Sequence, residues 1–297
     1  MSLNASQMQA VSHFQGPAIV LAGPGSGKTT VIANRISYLI RQYHVDPSHI
    51  LVVTFTKAAA VQMQERFFRI AGREERVIFG TFHSVFFRIL QYSFHYGASA
   101  IARPALRREL IRQAAAEAGS EAEDENDFLE ALASEISEVK GSGTAPENHA
   151  ARCCPQEMFA AACHAYNEGL RRAGALDFDD MISLCSRLLT ERPDVLAVWQ
   201  ERFRYILVDE FQDISPLQYQ VIRLLACPGH NLFIVGDDDQ SIYRFRGAGP
   251  GIMLQFPADY PAAVMIPLAV NYRCSAPIAA AAGRLIAHNQ HRFVKSA

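Results

Sequence analysis

Cysteine is scarce in this sequence, and its few cysteines do not predict a cross-linked framework. The chain has six cysteines among 297 residues, too few for the disulfide pattern of a small secreted protein. Cys153, Cys154, Cys163 and His164 lie near one another. Their spacing matches no common zinc pattern, and adjacent cysteines rarely ligate one tetrahedral ion together. We therefore interpret the cysteines as reduced structural thiols.

Long apolar runs and a net charge of one sign are also lacking. Because no apolar stretch has the length of a membrane span and no secretory signal is present, we expect a cytoplasmic protein with no membrane partner. The formal net charge is only −2, so a nucleic-acid partner would need a local basic or aromatic groove. Apolar residues make up 49% of the chain, which allows a sizeable core, and the length suggests about two domains.

Short apolar runs alternate with longer helical patterns, which indicates an α/β fold. The runs lack polar alternation, as expected for strands of a parallel sheet that helices cover on both faces. After the first run, the apolar spacing in "TTVIANRISYLI" predicts a crossover helix. The predicted strands are Ala18–Ala22, Ile50–Thr54, Val77–Thr81, Tyr205–Asp209, Leu232–Gly236 and Val264–Pro267.

The alternation stops between Phe86 and Gln200, where helical patterns dominate. The economical interpretation is an all-helical domain inserted into a sheet domain. We predict a P-loop parallel-sheet domain at residues 1–85 and 201–270, with the inserted helical domain at residues 86–200.

The segment "AGPGSGKTT", Ala22 to Thr30, follows a predicted strand and opens a predicted helix. This is the context of a phosphate-binding loop, although the strict pattern begins with Gly where this chain has Ala22. Glycines let backbone N–H groups point at phosphate oxygens, and the helix dipole adds to the attraction. Lys28 would reach the β- and γ-phosphates, and the Thr29 hydroxyl would bind Mg²⁺. The predicted nucleotide-binding residues of this loop are Gly23, Gly25, Ser26, Gly27, Lys28, Thr29 and Thr30.

The segment "ILVDEFQD" places Asp209 and Glu210 directly after another predicted strand. Neighbouring carboxylates repel each other, and burying either one is costly. Mg²⁺ held by Asp209 on a bound nucleotide would reduce the repulsion, and Glu210 would then deprotonate the attacking water. The alternative is a helix N-terminus decorated with acids, which the helix dipole favours.

A dense polar cluster, "IVGDDDQSIYRFRGA", begins in a further predicted strand. Gln240 could hydrogen-bond a γ-phosphate and a nearby backbone group. Tyr243, Phe245 and Arg246 interleave aromatic and cationic groups, which suits stacking on unpaired bases with phosphate contact. The alternative is an ordinary amphipathic loop packed on the core.

Five further segments stand in order along the chain: "LNASQMQAV" from Leu3, "VTFTKAAAVQM" from Val53, "GTFHS" from Gly80, "LDFDDM" from Leu176 and "NYR" from Asn271. Together with the three segments above, they resemble the UvrD/Rep/PcrA group of superfamily 1 DNA helicases. The resemblance implies a RecA-like motor domain that uses ATP to move 3′ to 5′ along single-stranded DNA. It also implies action at duplex junctions in DNA repair, replication or recombination.

The same resemblance implies further residue roles. Gln7 would hydrogen-bond the adenine edge, and Arg35 and Tyr272 would sandwich the adenine ring. Arg273 would approach the γ-phosphate and stabilise charge there. The residues implied to line the DNA path are Phe55, Thr81, His83, Tyr243, Phe245 and Arg246.

The sequence also departs from the family pattern. Phe245 stands where the family often has Trp, which gives up stacking area and an N–H donor. The sequence ends at Ala297, so we expect residues 271–297 to be only the start of a second motor domain. An arginine facing the transferred phosphate is worth about 10³ to 10⁵ in rate. Because the family's second such arginine would lie beyond Ala297, we expect a fragment with weak or no motor activity.

Two alternatives remain at this point. One is a stand-alone regulatory module that binds nucleotide or single-stranded DNA without motor activity. The other is a P-loop kinase, which would explain Lys28, Thr29 and Asp209 but not "GTFHS" or the cluster around Gln240.

The acids of "LDFDDM" are expected to cap a helix or to pair with arginines, and we assign them no chemistry.

Overall fold

The computed structural model describes residues 3–120, 125–241, 251–289 and 292–293. Its centre is a parallel sheet in the strand order β3-β2-β4-β5-β1-β6, which confirms the predicted α/β class. The strands are β1 (Ala18–Ala22), β2 (Ile50–Thr54), β3 (Ile78–Thr81), β4 (Tyr205–Val208), β5 (Leu232–Gly236) and β6 (Val264–Leu268).

The six predicted strands are all present, with ends that shift by at most one residue. Val77 lies before β3, and Leu268 extends β6. Asp209 follows β4 but still donates its backbone N–H to the Val53 carbonyl oxygen at 2.9 Å. The side chain of Asp209 therefore stands at the carboxyl end of β4, beside the end of β2.

Helices cover both faces of the sheet. Side chains alternate between the faces along each strand: Ile19 and Leu21 pack in one apolar cluster, and Val20 packs in the other. The first face carries α4 (Phe82–Phe94), α8 (Phe178–Glu191), α9 (Pro193–Arg202), α10 (Pro216–Ala226) and α11 (Ile252–Asp259). The second face carries α1 (Ala5–Ser12), α2 (Lys28–Gln42) and α3 (Lys57–Ala71).

Three helices build a separate apolar core away from the sheet. They are α5 (Pro104–Glu117), α6 (Asn126–Ser142) and α7 (Gln156–Arg172). The buried residues of this core run from Leu110 to Ala175, and they include the Cys163 thiol. The predicted insertion at residues 86–200 therefore includes α8 and most of α9, whose buried side chains belong to the sheet core. The boundaries between domains stay a prediction.

The acids of "LDFDDM" anchor α8 to this helical core. Asp177 caps α8 by accepting the Asp180 backbone N–H at 2.7 Å. Lys140 of α6 pairs with both acids, with Nζ–O distances of 2.8 Å to Asp177 and 2.6 Å to Asp180. The expected helix cap is present, and the paired cation is a lysine of the helical core rather than an arginine.

The last described helix is α12 (Ala276–Ile286). Across the described ranges, every helix is either too short or too polar to cross a membrane.

Candidate functional site

The turn between β1 and α2 curls through two glycines in the left-handed region. Gly25 has φ +70° and Gly27 has φ +88°, a conformation that side chains disfavour. Between them, the Ser26 hydroxyl folds back and donates to the Gly23 carbonyl oxygen at 2.8 Å. The chain thus leaves the buried strand and enters α2 at Lys28 within a tight loop, as a phosphate-binding turn requires.

Lys28 reaches the acids that follow β4. Its Nζ atom lies 2.9 Å from Oε2 of Glu210, although β5 separates β1 from β4 in the sheet. Glu210 itself has φ +51°, which is uncommon for a residue other than glycine and recurs at functional sites. The structure therefore brings the predicted phosphate-binding lysine together with the predicted general base.

Three carboxylates crowd the end of β4. Burial, and after it the charge of Glu210, raise the pKa of Asp209 to about 7. The same two causes raise the pKa of Asp213 to about 6, and Lys28 opposes both shifts. Within the described ranges, Oδ1 of Asp213 is buried without a hydrogen-bond partner. Mg²⁺ prefers oxygen ligands, so this excess of buried carboxylate fits a divalent cation.

Gln240 lies on the short turn after β5, between the two groups just described. The strand order places the carboxyl end of β5 between those of β1 and β4. The Gln240 side-chain amide donates to Oδ2 of Asp237 at 2.6 Å. Asp237 is buried directly after β5. This contact therefore holds the side chain of Gln240, the predicted γ-phosphate contact, at the end of that strand.

Residues from both ends of the chain meet at the turn after β1. The Gln7 amide donates to the Ser26 carbonyl oxygen at 3.0 Å. The Tyr272 backbone N–H donates to the Gly25 carbonyl oxygen at 2.9 Å. Asn4 caps α1 and also donates to the Tyr272 hydroxyl at 2.7 Å. Because the Tyr272 side chain is exposed, its ring is accessible to a ligand beside the turn.

Asn4 was not singled out from the sequence, although it is the first residue of a capping box with Gln7. That spacing, an Asn followed three residues later by Gln, was the signal that could have identified it.

Arg273 also lies against the turn. A Cβ atom added to Gly25 would come within 2.5 Å of the Arg273 Cβ and within 2.7 Å of the Asn271 side-chain oxygen. The Arg273 side chain is exposed. The turn and the "NYR" segment thus form one continuous surface, with glycine required at position 25.

The predicted contact of Arg35 with adenine is contradicted by its position. Arg35 is 1% exposed, and its guanidinium lies 4.2 Å from the centroid of the Phe233 ring inside the sheet domain. It donates to the His13 carbonyl oxygen, and burial lowers its pKa to about 9. A guanidinium enclosed in this way stacks on the core and offers no face to a ligand.

Thr30, the last residue of the predicted loop, contacts a different arginine. The Arg66 guanidinium of α3 donates to the Thr30 hydroxyl at 2.9 Å, and Arg66 is exposed. Arg66 was missed because it lies in the helix after β2, far from the loop in sequence, and no motif marks it.

Three of the residues predicted to contact DNA, Phe55, Thr81 and His83, lie at the ends of β2 and β3. Phe55 directly follows β2, and Thr81 ends β3 and accepts the Ser84 backbone N–H at the start of α4. The ring of His83 packs edge-on against Phe178, with centroids 5.1 Å apart. Burial lowers the pKa of His83, which favours the neutral imidazole.

Phe178, which was not singled out from the sequence, is 53% exposed. An exposed aromatic ring beside His83 extends the predicted path from the sheet to α8. Tyr243, Phe245 and Arg246 lie outside the described residues.

The family model described as the UvrD/REP helicase N-terminal domain matches residues 3–261. The chain is 39% identical to YjcD of Bacillus subtilis and covers 40% of that protein. It is 40% identical to the ATP-dependent DNA helicase Rep of Escherichia coli and covers 45% of it. It is 37% identical to the ATP-dependent DNA helicase PcrA of Staphylococcus epidermidis and covers 41% of it. These alignments include 99% or more of this chain.

Proposed function

The chain belongs to the UvrD/REP helicase family, and we propose that it forms the ATP-binding half of an ATP-dependent DNA helicase. The observation that carries this proposal is the 2.9 Å ion pair between Lys28 and Glu210. It joins the turn after β1 to the acids after β4, and these are the two groups that nucleotide hydrolysis needs in one place.

ATP would bind with its phosphates in the turn and its base beside α1. The Lys28 ammonium would leave Glu210 for the β- and γ-phosphates, because a triphosphate carries more charge than one carboxylate. The Gln7 amide, which contacts the Ser26 carbonyl oxygen at 3.0 Å, would also hydrogen-bond the adenine edge. The exposed ring of Tyr272 offers one stacking face.

Asp209 and the Thr29 hydroxyl are the residues that would hold Mg²⁺. When bound, Mg²⁺ would neutralise charge on the phosphates and on the acids after β4. The raised pKa of Asp209 supports this assignment, since a carboxylate that is costly to ionise alone is stabilised as an anion by a nearby cation.

Glu210 would deprotonate the attacking water. The removal of Lys28 to the phosphates leaves the Glu210 carboxylate free to accept that proton. Arg273, which lies against Gly25, would stabilise the charge that develops on the transferred phosphoryl group. Gln240 would hydrogen-bond the γ-phosphate, so the presence or absence of that phosphate would change the position of the segment after β5.

Single-stranded DNA would run across the carboxyl ends of β2 and β3. Phe55, Thr81, His83 and Phe178 would contact it, with Tyr243, Phe245 and Arg246 after β5. Aromatic faces suit unpaired bases of any sequence. Movement from 3′ to 5′, unwinding at duplex junctions, and a role in repair, replication or recombination belong to this proposal.

The test is steady-state ATP hydrolysis by the complete protein, with and without single-stranded DNA. We expect DNA to stimulate hydrolysis, and we expect Glu210→Gln to lower kcat by about 10²-fold or more because the base is lost. Nucleotide affinity should stay equal or rise, since a neutral amide competes less well for Lys28. ATP binding without DNA-stimulated turnover in the unmodified protein would favour a regulatory binding module instead.

A further inference from the structure

One buried side chain joins the acids after β4 to the segment after β5. Gln212 is 3% exposed. Its amide nitrogen donates to Oε2 of Glu210 at 3.0 Å and to Oδ2 of Asp213 at 3.2 Å. Its amide oxygen accepts the Asp237 backbone N–H at 3.0 Å. A single amide therefore spans the gap between two neighbouring strand ends.

The orientation of this amide follows from its partners. Ionised carboxylates only accept hydrogen bonds, and a backbone N–H only donates. A flipped Gln212 would place its oxygen against two carboxylates and its N–H₂ group against the Asp237 N–H. Because the flipped state loses all three contacts, the amide nitrogen is held toward the predicted base.

The end of β5 is shaped to accept this side chain. A Cβ atom on Gly236 would lie 2.7 Å from the Gln212 amide oxygen, so glycine there permits the close approach. The Ser241 hydroxyl also donates to the Gln212 carbonyl oxygen at 3.2 Å. Gln212 is thus attached through its side chain and its main chain to the residues that surround Gln240.

We propose that Gln212 is a positioning residue that holds the Glu210 carboxylate and transmits movement of the segment after β5 to it. The inference rests on the proposed function, in which Glu210 is the base and the segment after β5 contacts DNA. Lys28 and Gln212 both donate to Oε2 of Glu210. When Lys28 turns to a nucleotide phosphate, Gln212 is the described donor that stays on this atom.

DNA that displaces the segment after β5 would therefore shift the base through one amide. A misplacement of about 1 Å at a reacting group can cost about 10²-fold in rate. This is large enough for Gln212 to account for DNA-dependent stimulation of hydrolysis, without any contact between Gln212 and DNA.

Two substitutions at this position separate its contacts. Gln212→Met keeps the length of the side chain but removes all of its side-chain hydrogen bonds. Gln212→Glu keeps an oxygen for the Asp237 N–H but loses the donors to Glu210 and Asp213. The matched control is Gln218→Glu, because Gln218 is 6% exposed and sits in the capping box of α10, where Glu serves equally well.

The first measurement is hydrogen exchange at the Asp237 amide in the nucleotide-free protein. We expect protection to fall in Gln212→Met and to persist in Gln212→Glu and Gln218→Glu. Unchanged protection of the Asp237 amide in Gln212→Met would show that the Gln212 side chain does not hold the two strand ends together. This readout does not depend on ATP hydrolysis, and protection of the amides within β1 and β5, which pair inside the sheet, shows whether each variant is folded.

The second measurement is ATP hydrolysis by the complete protein, with and without single-stranded DNA. In both Gln212 variants we expect kcat to fall by about 10- to 10²-fold, with ATP affinity within about threefold of the unmodified value. The ratio of DNA-stimulated to basal turnover should also fall, and Gln218→Glu should keep both values.

A folded Gln212→Met protein with unchanged kcat and unchanged stimulation would overturn the inference alone. If the unmodified protein showed no DNA-stimulated hydrolysis, the proposed function would fail and this inference with it. If Gln212→Glu did not fold, the kcat and the DNA stimulation of Gln212→Met alone would test the inference.

Discussion

At the scale of single residues, the burial pattern of α2 shows why Arg35 was misassigned. Its neighbours along one helical face, Ile32, Ile36 and Leu39, are fully buried. Arg35 stands at the helical spacing of that face, so periodicity alone indicated an enclosed side chain. The family resemblance outweighed that signal. The stacking of its guanidinium on Phe233 could not be predicted, because that partner lies about 200 residues away along the chain.

The acid pair was predictable in identity but not in its electrostatics. The sequence placed Asp209 and Glu210 after a strand and indicated a nearby lysine. It could not show that Lys28 contacts Glu210 rather than Asp209, because that choice depends on the left-handed backbone of Glu210. Asp209 is therefore the more buried of the two acids, and Lys28 neutralises its negative charge less well than that of Glu210.

A stability prediction follows for Asp209. Its pKa is about 7 in the folded protein, against about 3.9 in an unfolded chain. Between these values the folded state binds a proton that the unfolded state lacks, so stability falls as pH rises and the full penalty is present above pH 7. Asp209→Asn removes the charge, so it should stabilise the nucleotide-free, Mg²⁺-free protein by on the order of a few kcal/mol at pH 8, and by less at pH 5.

Urea unfolding of both proteins at the two pH values measures this difference. Asp194→Asn is the control, because that carboxylate is exposed and its pKa is lowered by Arg192. The control should show no gain at pH 8. An equal gain for Asp209→Asn at both pH values would contradict the raised pKa.

At the scale of elements, the loop and helix starts were the most predictable features. The glycines of "AGPGSGKTT" indicated the turn, and two of them have positive φ. Thr81 is different, because the sequence suggested a DNA contact and the structure gives it the N-cap of α4. The signal was present as Thr81 followed three residues later by Ser84, which resembles a capping box. The cap does not remove Thr81 from the predicted path.

The glycines of the turn are not equivalent, and this can be measured. Gly25→Ala places a Cβ atom 2.5 Å from that of Arg273 and forces φ +70° on alanine, so it should destabilise the protein by more than about 1 kcal/mol. It should also weaken ATP binding, because the "NYR" segment must move away.

Gly23→Ala is the matched control, since a Cβ atom there meets nothing within 4 Å. Its unfolding free energy should stay within about 0.5 kcal/mol of the unmodified value. Denaturant unfolding would compare the two variants, and equal losses of stability would argue against the close contact between the turn and Arg273.

At the scale of the whole molecule, the sheet was predictable because four of its strands, β1, β2, β4 and β5, are buried along their whole length. Apolar runs without alternation marked all six strands. The order of the strands in the sheet was not predictable from those runs. It depends on which connections pass over an adjacent strand position, and the apolar runs carry no information about that. The same limit applies to the helical insertion, where α8 and α9 read as helices in sequence but pack on the sheet through Trp199 and Met181.

That strand order is what creates one site from distant segments. It sets the turn after β1, the segment after β5 and the acids after β4 side by side at one edge. Ligands of open parallel sheets bind at such carboxyl edges. Lys28 and Asp209 are about 180 residues apart in the chain, and only the fold brings them to the same edge of the sheet.

Calorimetric titration of ATP in the presence and absence of Mg²⁺ tests this central claim most directly. The unmodified protein should bind one ATP, and Mg²⁺ should tighten the binding. Asp209→Asn should keep the Mg²⁺-free affinity and lose most of the tightening, whereas Lys28→Ala should weaken binding in both conditions. Failure of the unmodified protein to bind ATP, or an undiminished Mg²⁺ effect in Asp209→Asn, would contradict the account.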